Sequence, residues 1–357
     1  MKANELKQAL TVAIAAGRPT MTWGAPGIGK SEIHDQVGKA LGFDSVIKLD
    51  GVLLDVVDLR GVPVPVVQDR PLFQFQGEAL NGSCRTKWFP PEFLPVSGRH
   101  LIFIDEISQA VPLVMNGLAQ LILERRLGDY RLPDGCHVCA AGNRMEDRAA
   151  THRMPSQLVG RLVHLDFEAD QESWVQWAIG AGVSFDVVAF LRLRPELLHV
   201  FKAELAHKPF PSPRGWKFVS DILGAYSLPS VGPVDKTGAL ISSLLTGCIG
   251  EGAAIEFLAF LDTYKHLPSW ERIVADPRGT EVPEKGNTSA MYALSGMLTH
   301  KASSVTLGPI LQYLHRLPKE FEVMAVLDMI RGPRKGEISE TTDFIKWSSK
   351  NTALFTG

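Results

Sequence analysis

Apolar residues recur at helical spacing over residues 3–16, ANELKQALTVAIAA, and the run stops at Gly17 with Pro19 beyond, which predicts an N-terminal helix. A short apolar strand from Thr20 to Trp23 comes next, then a glycine-rich loop and a helix from about Lys30 to Leu41. A second strand is predicted near Val46–Leu49. From Asp50 to Gly98 the chain is rich in Pro, Gly and short apolar runs, and reads as a short helix plus an inserted hairpin or irregular loop. The stretch HLIFIDEIS (100–108) is a continuous apolar run closing on two acids, as a parallel strand buried on both faces requires. A helix over about Pro112 to Glu124 follows, then a hairpin around Asp134-Gly135, a core strand in CHVCAAGN and a last strand from Leu162 to Phe167. Strands alternating with helices up to residue 168 predict an α/β fold with a parallel sheet.

Beyond that point only helical patterns remain, over 170–181, 184–193, 195–205, 213–225, 235–248, 250–263, 289–300 and 304–317, separated by Pro- and Gly-containing turns. The organisation expected is therefore an α/β domain over 1–168, an all-α domain over 169–330 and a loosely attached tail over 331–357.

Composition narrows the picture. The chain is 45% hydrophobic and 21% charged, ordinary for a globular protein, and its net charge of −2 provides no overall cationic field for nucleic acid or an anionic membrane. The most apolar long window, Ala239 to Leu261, is interrupted by Glu251 and Glu256, and the N-terminus lacks a secretory pattern; both predict a cytoplasmic protein with no membrane association. Four cysteines, at 84, 136, 139 and 248, are too scattered for a disulfide scaffold. Cys136 and Cys139, three residues apart on a strand, face opposite ways and could not share a metal.

The chemistry begins in the loop TWGAPGIGKS. Gly24-x-x-x-x-Gly29-Lys30-Ser31 matches the phosphate-loop pattern at every fixed position and stands between a predicted strand and a predicted helix. Gly27 and Gly29 let backbone N–H groups wrap a phosphate, Lys30 reaches outer phosphates, and Ser31 offers a hydroxyl to Mg²⁺. Asp105 ends the strand LIFID where a carboxylate can orient magnesium-bound water, and Glu106 follows it where a base could polarise an attacking water. Asn143 ends the strand CAAGN, where it could hold that water.

These residues resemble the AAA+ ATPases, and within them the MoxR branch with its CbbQ-like proteins, over roughly residues 1–300. GAPGIGKS is similar to Walker A and LIFIDEIS to Walker B. The resemblance implies ATP and Mg²⁺ as cofactors, with Gly24, Ala25, Pro26, Gly27, Ile28, Gly29, Lys30, Ser31 and Glu32 at the nucleotide and Ser31 and Asp105 at the metal. It implies catalytic roles for Glu106, for Asn143 as sensor 1, for Arg161 as the finger offered to a neighbouring subunit, and for Arg214, in SPR, as sensor 2 on a helical lid. A hairpin around Asp129–Pro133 resembles the insertion of this branch. Leu162 replaces the usual Phe, and Arg148 and Arg153 rival Arg161 as the finger; a surface ion pair is the plainer reading of either Arg161 or Arg214.

The resemblance further implies a ring-shaped homo-oligomer, most simply a hexamer, that remodels or activates a protein client together with a partner carrying a von Willebrand factor A domain. Two other readings stay open: an AAA+ motor or loader acting on nucleic acid, against which the near-neutral charge weighs, and a nucleotide-gated scaffold without turnover, against which Glu106 and Asn143 weigh.

Overall fold

A computed structural model describes residues 1–67, 70–71, 83–144, 152–205, 207–225, 238–284 and 286–352. The chain divides into two compact units, Met1–Glu168 and Ala169–Gly357.

The first unit opens with α1 (Ala3–Ala15), β1 (Thr20–Trp23), α2 (Lys30–Ala40) and β2 (Ser45–Asp50). After α3 (Val56–Arg60) come β3 (Val62–Val67), β4 (Arg70–Pro71) and β5 (Arg85–Phe89), which pair as a small antiparallel sheet in the region read as an inserted hairpin or loop. Then follow β6 (His100–Asp105), α4 (Pro112–Glu124), the two-residue strands β7 (Arg126–Leu127) and β8 (Tyr130–Arg131), β9 (His137–Gly142), α5 (Ser156–Val159) and β10 (Val163–Asp166). The main sheet is wholly parallel, in the order β10-β1-β9-β6-β2. This is the α/β class with a phosphate-loop sheet and flanking helices that the strand–helix alternation implied.

Period-two alternation inside the apolar run of β6 explains why it can be central. Ile102 and Ile104 pack with Val114, Leu118 and Leu121 of α4 on one face, while Leu101 and Phe103 pack with Cys139, Ile14 and Val46 on the other. Cys136 and Cys139 fall into these two different clusters. The hairpin differs from its expected place. Its turn is Gly128-Asp129, where Gly128 supplies φ +56°, whereas Asp134-Gly135 makes a separate turn leading into β9.

Among its described residues the second unit is all-helical: α6 (Gln171–Gly180), α7 (Phe185–Leu193), α8 (Pro213–Ala225), α9 (Ala239–Ile249), α10 (Glu251–Thr263), α11 (Trp270–Ala275), α12 (Thr288–Lys301), α13 (Leu307–Leu314), α14 (Lys319–Arg331), α15 (Lys335–Ser339) and α16 (Thr342–Lys350). The helix expected over 195–205 is instead two single 3₁₀ turns, after Arg194 leaves helical geometry ahead of Pro195.

The expectation of a loose tail is corrected. Ile338, Phe344 and Trp347 of the last two helices are buried in the same cluster as Leu294, Leu314 and Phe321, and the Trp347 indole donates to Glu322 Oε1 at 2.7 Å. Only three large apolar residues in the last twenty described ones carry the attachment, too few to stand out as a periodic pattern. Trp347→Ala is expected to destabilise this unit by about 3–5 kcal/mol, the usual cost of truncating a buried tryptophan, in equilibrium denaturation. A loose tail would show a change within about 0.5 kcal/mol.

Candidate nucleotide site

Three strand ends meet at one edge of the main sheet. The loop after β1, the acids ending β6 and the asparagine ending β9 all stand at carboxyl ends of parallel strands, where such sheets bind ligands. Chain order places β1 between β9 and β10, so successive connections diverge there and open a crevice beside the loop.

The loop is shaped by glycine where no other residue fits. Gly29, at φ +98°, caps α2, and a Cβ on Gly24 would lie 2.8 Å from the Phe167 carbonyl oxygen and 2.6 Å from Ile28 Cδ1. Lys30 is 6% exposed and donates to Gly24 O at 2.8 Å, Ala25 O at 3.1 Å and Asn143 Oδ1 at 2.7 Å. One turn on, His34 is fully buried and stacks on Phe103 with ring centroids 4.3 Å apart. Its Nδ1 is 2.8 Å from Lys30 O; a carbonyl only accepts, so this nitrogen carries the proton and Nε2 accepts from Thr22 Oγ1 at 3.3 Å. Burial pushes the imidazole down to about 4, which keeps it neutral beneath the loop.

Asp105 is buried, and its Oδ2 accepts from Ser31 Oγ at 2.5 Å and Lys48 Nζ at 2.9 Å. Burial alone would raise this carboxyl, but the hydrogen bonds from Ser31 and Lys48 and the charges of Lys48 and Lys30 outweigh it, so Asp105 stays below the ordinary carboxylate range. Glu106 behaves oppositely. Burial raises its pKa, with the Lys30 charge opposing, and its Oε2 accepts from Asn143 Nδ2 at 2.9 Å and Gln109 Nε2 at 2.7 Å. Adjacent carboxylates thus differ in proton affinity, the pattern that separates a permanently charged ligand from a base. Glu106 sits at φ +51°, left-handed for a residue with a side chain, which turns it away from the strand direction taken by Asp105.

Asn143, 3% exposed, ties these groups together. Its Oδ1 takes the Lys30 ammonium and its Nδ2 donates to Glu106, so both ends of the amide are fixed by partners of opposite character, while its backbone N–H donates to Ser108 Oγ at 3.2 Å. With the Glu106 N–H donating to Asp105 Oδ1 at 3.0 Å, Lys30, Ser31, Asp105, Glu106 and Asn143 form one hydrogen-bonded cluster. Lys48, Gln109 and Ser108 belong to it as well, and the sequence reading missed them. Lys48 lies in mid-strand and comes near Asp105 only because β2 pairs with β6, Asp50 opposite Asp105.

The remaining candidates lie elsewhere. Glu32 is exposed and accepts from Gln36 at 2.8 Å, one turn along its own helix. Arg161 is exposed just before β10 begins, at the opposite end of the sheet from the loop. Arg153 is exposed, Arg148 lies outside the described residues, and Arg214 is exposed in the first turn of α8 in the second unit.

The cluster suits a polyphosphate with a hard divalent cation. Ser31 Oγ and Asp105 Oδ2 are oxygen donors side by side, one anionic. Among the described residues no group of three His, Cys, Asp or Glu side chains could hold a metal unaided, so a cation here would complete its shell with water and phosphate oxygens, as Mg²⁺ commonly does.

No family model and no curated protein matches the chain. Solved structures do: RuvB, described as the Holliday junction branch migration motor of Thermotoga maritima, at 15% identity over 88% of this chain and 85% of that one, with a TM-score of 0.34. A single-residue variant of the same protein matches at 16% identity over 88% and 85%, with a TM-score of 0.36. Likeness at such scores carries no weight for function, which is read from the side chains described above. No helix among the described residues is long and apolar enough to cross a membrane.

Proposed function

We propose that this chain hydrolyses ATP with Mg²⁺ as a ring-forming AAA+ ATPase of the MoxR type, and that turnover remodels or activates a protein client. The observation that carries the hydrolytic part is the Lys30–Asn143–Glu106 chain of hydrogen bonds, 2.7 and 2.9 Å, linking the phosphate-loop cation to a base of raised pKa. In this reading the loop amides and Lys30 bind the phosphates, and Ser31 Oγ with Asp105 would hold Mg²⁺, which would supply positive charge against the phosphoryl group. Glu106 takes a proton from the attacking water, Asn143 orients that water, and the γ-phosphoryl leaves ADP for the water oxygen. Since Asn143 also grips Lys30, occupancy of the loop is felt at the base.

The branch, the hexamer and the von Willebrand factor A partner rest on the likeness of the motif residues. So do the trans role of Arg161 and the lid role of Arg214.

Lys30→Ala is expected to weaken ATP binding roughly 10- to 100-fold, the worth of charge-assisted hydrogen bonds to phosphate, in a titration with fluorescent ATP. Wild-type affinity in this variant would overturn the reading of the loop.

A further inference from the structure

At the end of the main sheet away from the phosphate loop, where β10, β1 and β9 begin, lies a cavity of about 680 Å³. Arg18, Arg125 and Arg161 line it with His137, and no Asp or Glu does among the described residues. Each arginine is brought there by a different element: Arg18 by the turn into β1, Arg125 by the end of α4, Arg161 by the turn into β10.

Neither Arg18 nor Arg125 has a carboxylate partner among the described residues, and Arg161 has only the field of Glu124. Arg125 stands at φ +55° and donates to Pro133 O at 2.7 Å and Cys136 O at 3.0 Å, which fixes the guanidinium without a counter-charge. Arg18 is held by its backbone, its N–H donating to Ala13 O at 2.9 Å and its carbonyl accepting from His137 Nε2 at 3.2 Å, while its side chain is exposed. The Arg18 and Arg161 guanidiniums donate no hydrogen bond to another described residue. Glu124, the carboxylate whose field reaches Arg161, lines a neighbouring cavity and is already paired with Arg126 at 2.7 Å. His137 adds no charge of its own: burial lowers its pKa, and its one N–H is donated to the Arg18 carbonyl, which holds that turn in place.

Three arginines lining one concavity without an acid favour the entry of an anion, and the planar fork of arginine matches phosphoryl oxygens in bidentate fashion. We propose that this cavity is a binding site for a phosphoryl oxyanion, of the size of a diphosphate or triphosphate group. Its volume falls in the range of small-ligand sites and exceeds what one phosphate fills. The oxyanion has two possible sources, a free polyphosphate or the outer phosphates of nucleotide held by a second copy of this chain. The second source rests on the function proposed above, whereas the cavity does not.

The test separates them. Calorimetric titration of inorganic pyrophosphate into Lys30→Ala protein, whose own phosphate loop is weakened, should show for a free ligand one binding event per chain that depends on Arg18. Adding Arg18→Ala should weaken that event roughly 10- to 100-fold, as loss of a charge-assisted contact does. If the ligand is a neighbour's nucleotide, the lone chain shows no Arg18-dependent pyrophosphate binding, and Arg18→Ala instead weakens Mg-ATP-driven association of Glu106→Gln protein at least tenfold in sedimentation velocity. Circular dichroism matching the wild type confirms that Arg18→Ala folds, as its purely backbone role in the fold implies. The proposal is overturned if Arg18→Ala changes neither pyrophosphate affinity nor association. Absent ATP hydrolysis in the wild type, with Arg18-dependent pyrophosphate binding retained, would remove the function above and leave the cavity standing.

Discussion

Glu106→Gln protein is expected to bind ATP as the wild type does and to hydrolyse it roughly 10²–10⁴-fold more slowly. The substitution keeps the side chain's length and its acceptor for Asn143 Nδ2, so the hydrogen-bonded cluster persists and binding has no reason to fall. What disappears is the site that receives a proton. Because burial raises the Glu106 pKa, the carboxylate becomes protonated at a higher pH than an ordinary glutamate, near 4.3, would. The acid limb of the kcat profile should accordingly lie above that value in the wild type, with activity falling as pH drops through it. In Glu106→Gln that limb should vanish from the residual rate. Wild-type turnover in this variant, measured by phosphate release, would show that Glu106 is not the base.

Arg161→Ala is expected to bind ATP normally and lose up to about 10³–10⁵ in rate, because a finger acts on charge that develops only in the transition state. The structure makes its own site a poor target. β1 pairs with β10 from Thr20 opposite Val163 to Trp23 opposite Asp166, so Arg161 precedes the start of the paired stretch and the loop follows its end. At about 3.3 Å per residue the strand alone separates them by roughly 10 Å or more. That separation favours service to a nucleotide on another copy over service to its own. Mixing Arg161→Ala with Glu106→Gln, each nearly inactive alone, should therefore restore activity: an Arg161→Ala subunit keeps its base and borrows the finger of a Glu106→Gln neighbour. No recovery on mixing would count against action in trans. Recovery with Arg153→Ala or Arg148→Ala in its place, and none with Arg161→Ala, would move the assignment.

The motif residues were legible because their chemistry is local. Gly24 to Ser31 are consecutive, so their spacing alone states where backbone, ammonium and hydroxyl stand relative to a helix start. Asp105 and Glu106 were legible as acids ending an apolar run, yet nothing in the order of residues says that one falls and the other rises in pKa. That difference comes from Ser31 and Lys48 donating to Asp105, across a pairing of strands whose partners are more than fifty residues apart in the chain. Gln109 and Ser108 were invisible as well, since the turn after Glu106 must form before Gln109 can donate to Glu106 and Ser108 can face Asn143.

By itself, then, the sequence determined the α/β class of the first unit, the helical character of the second and the loop that can hold phosphate. Hydrophobic periodicity and glycine placement act over a few residues and need no partner. Only the tertiary structure decided that Asn143 joins Lys30 to Glu106, that α15 and α16 are packed rather than loose, and that Arg18, Arg125 and Arg161 share one cavity. Those are meetings of residues distant in the chain, set by strand order and helix packing, and side-chain burial and charge acquire their values only once that packing exists.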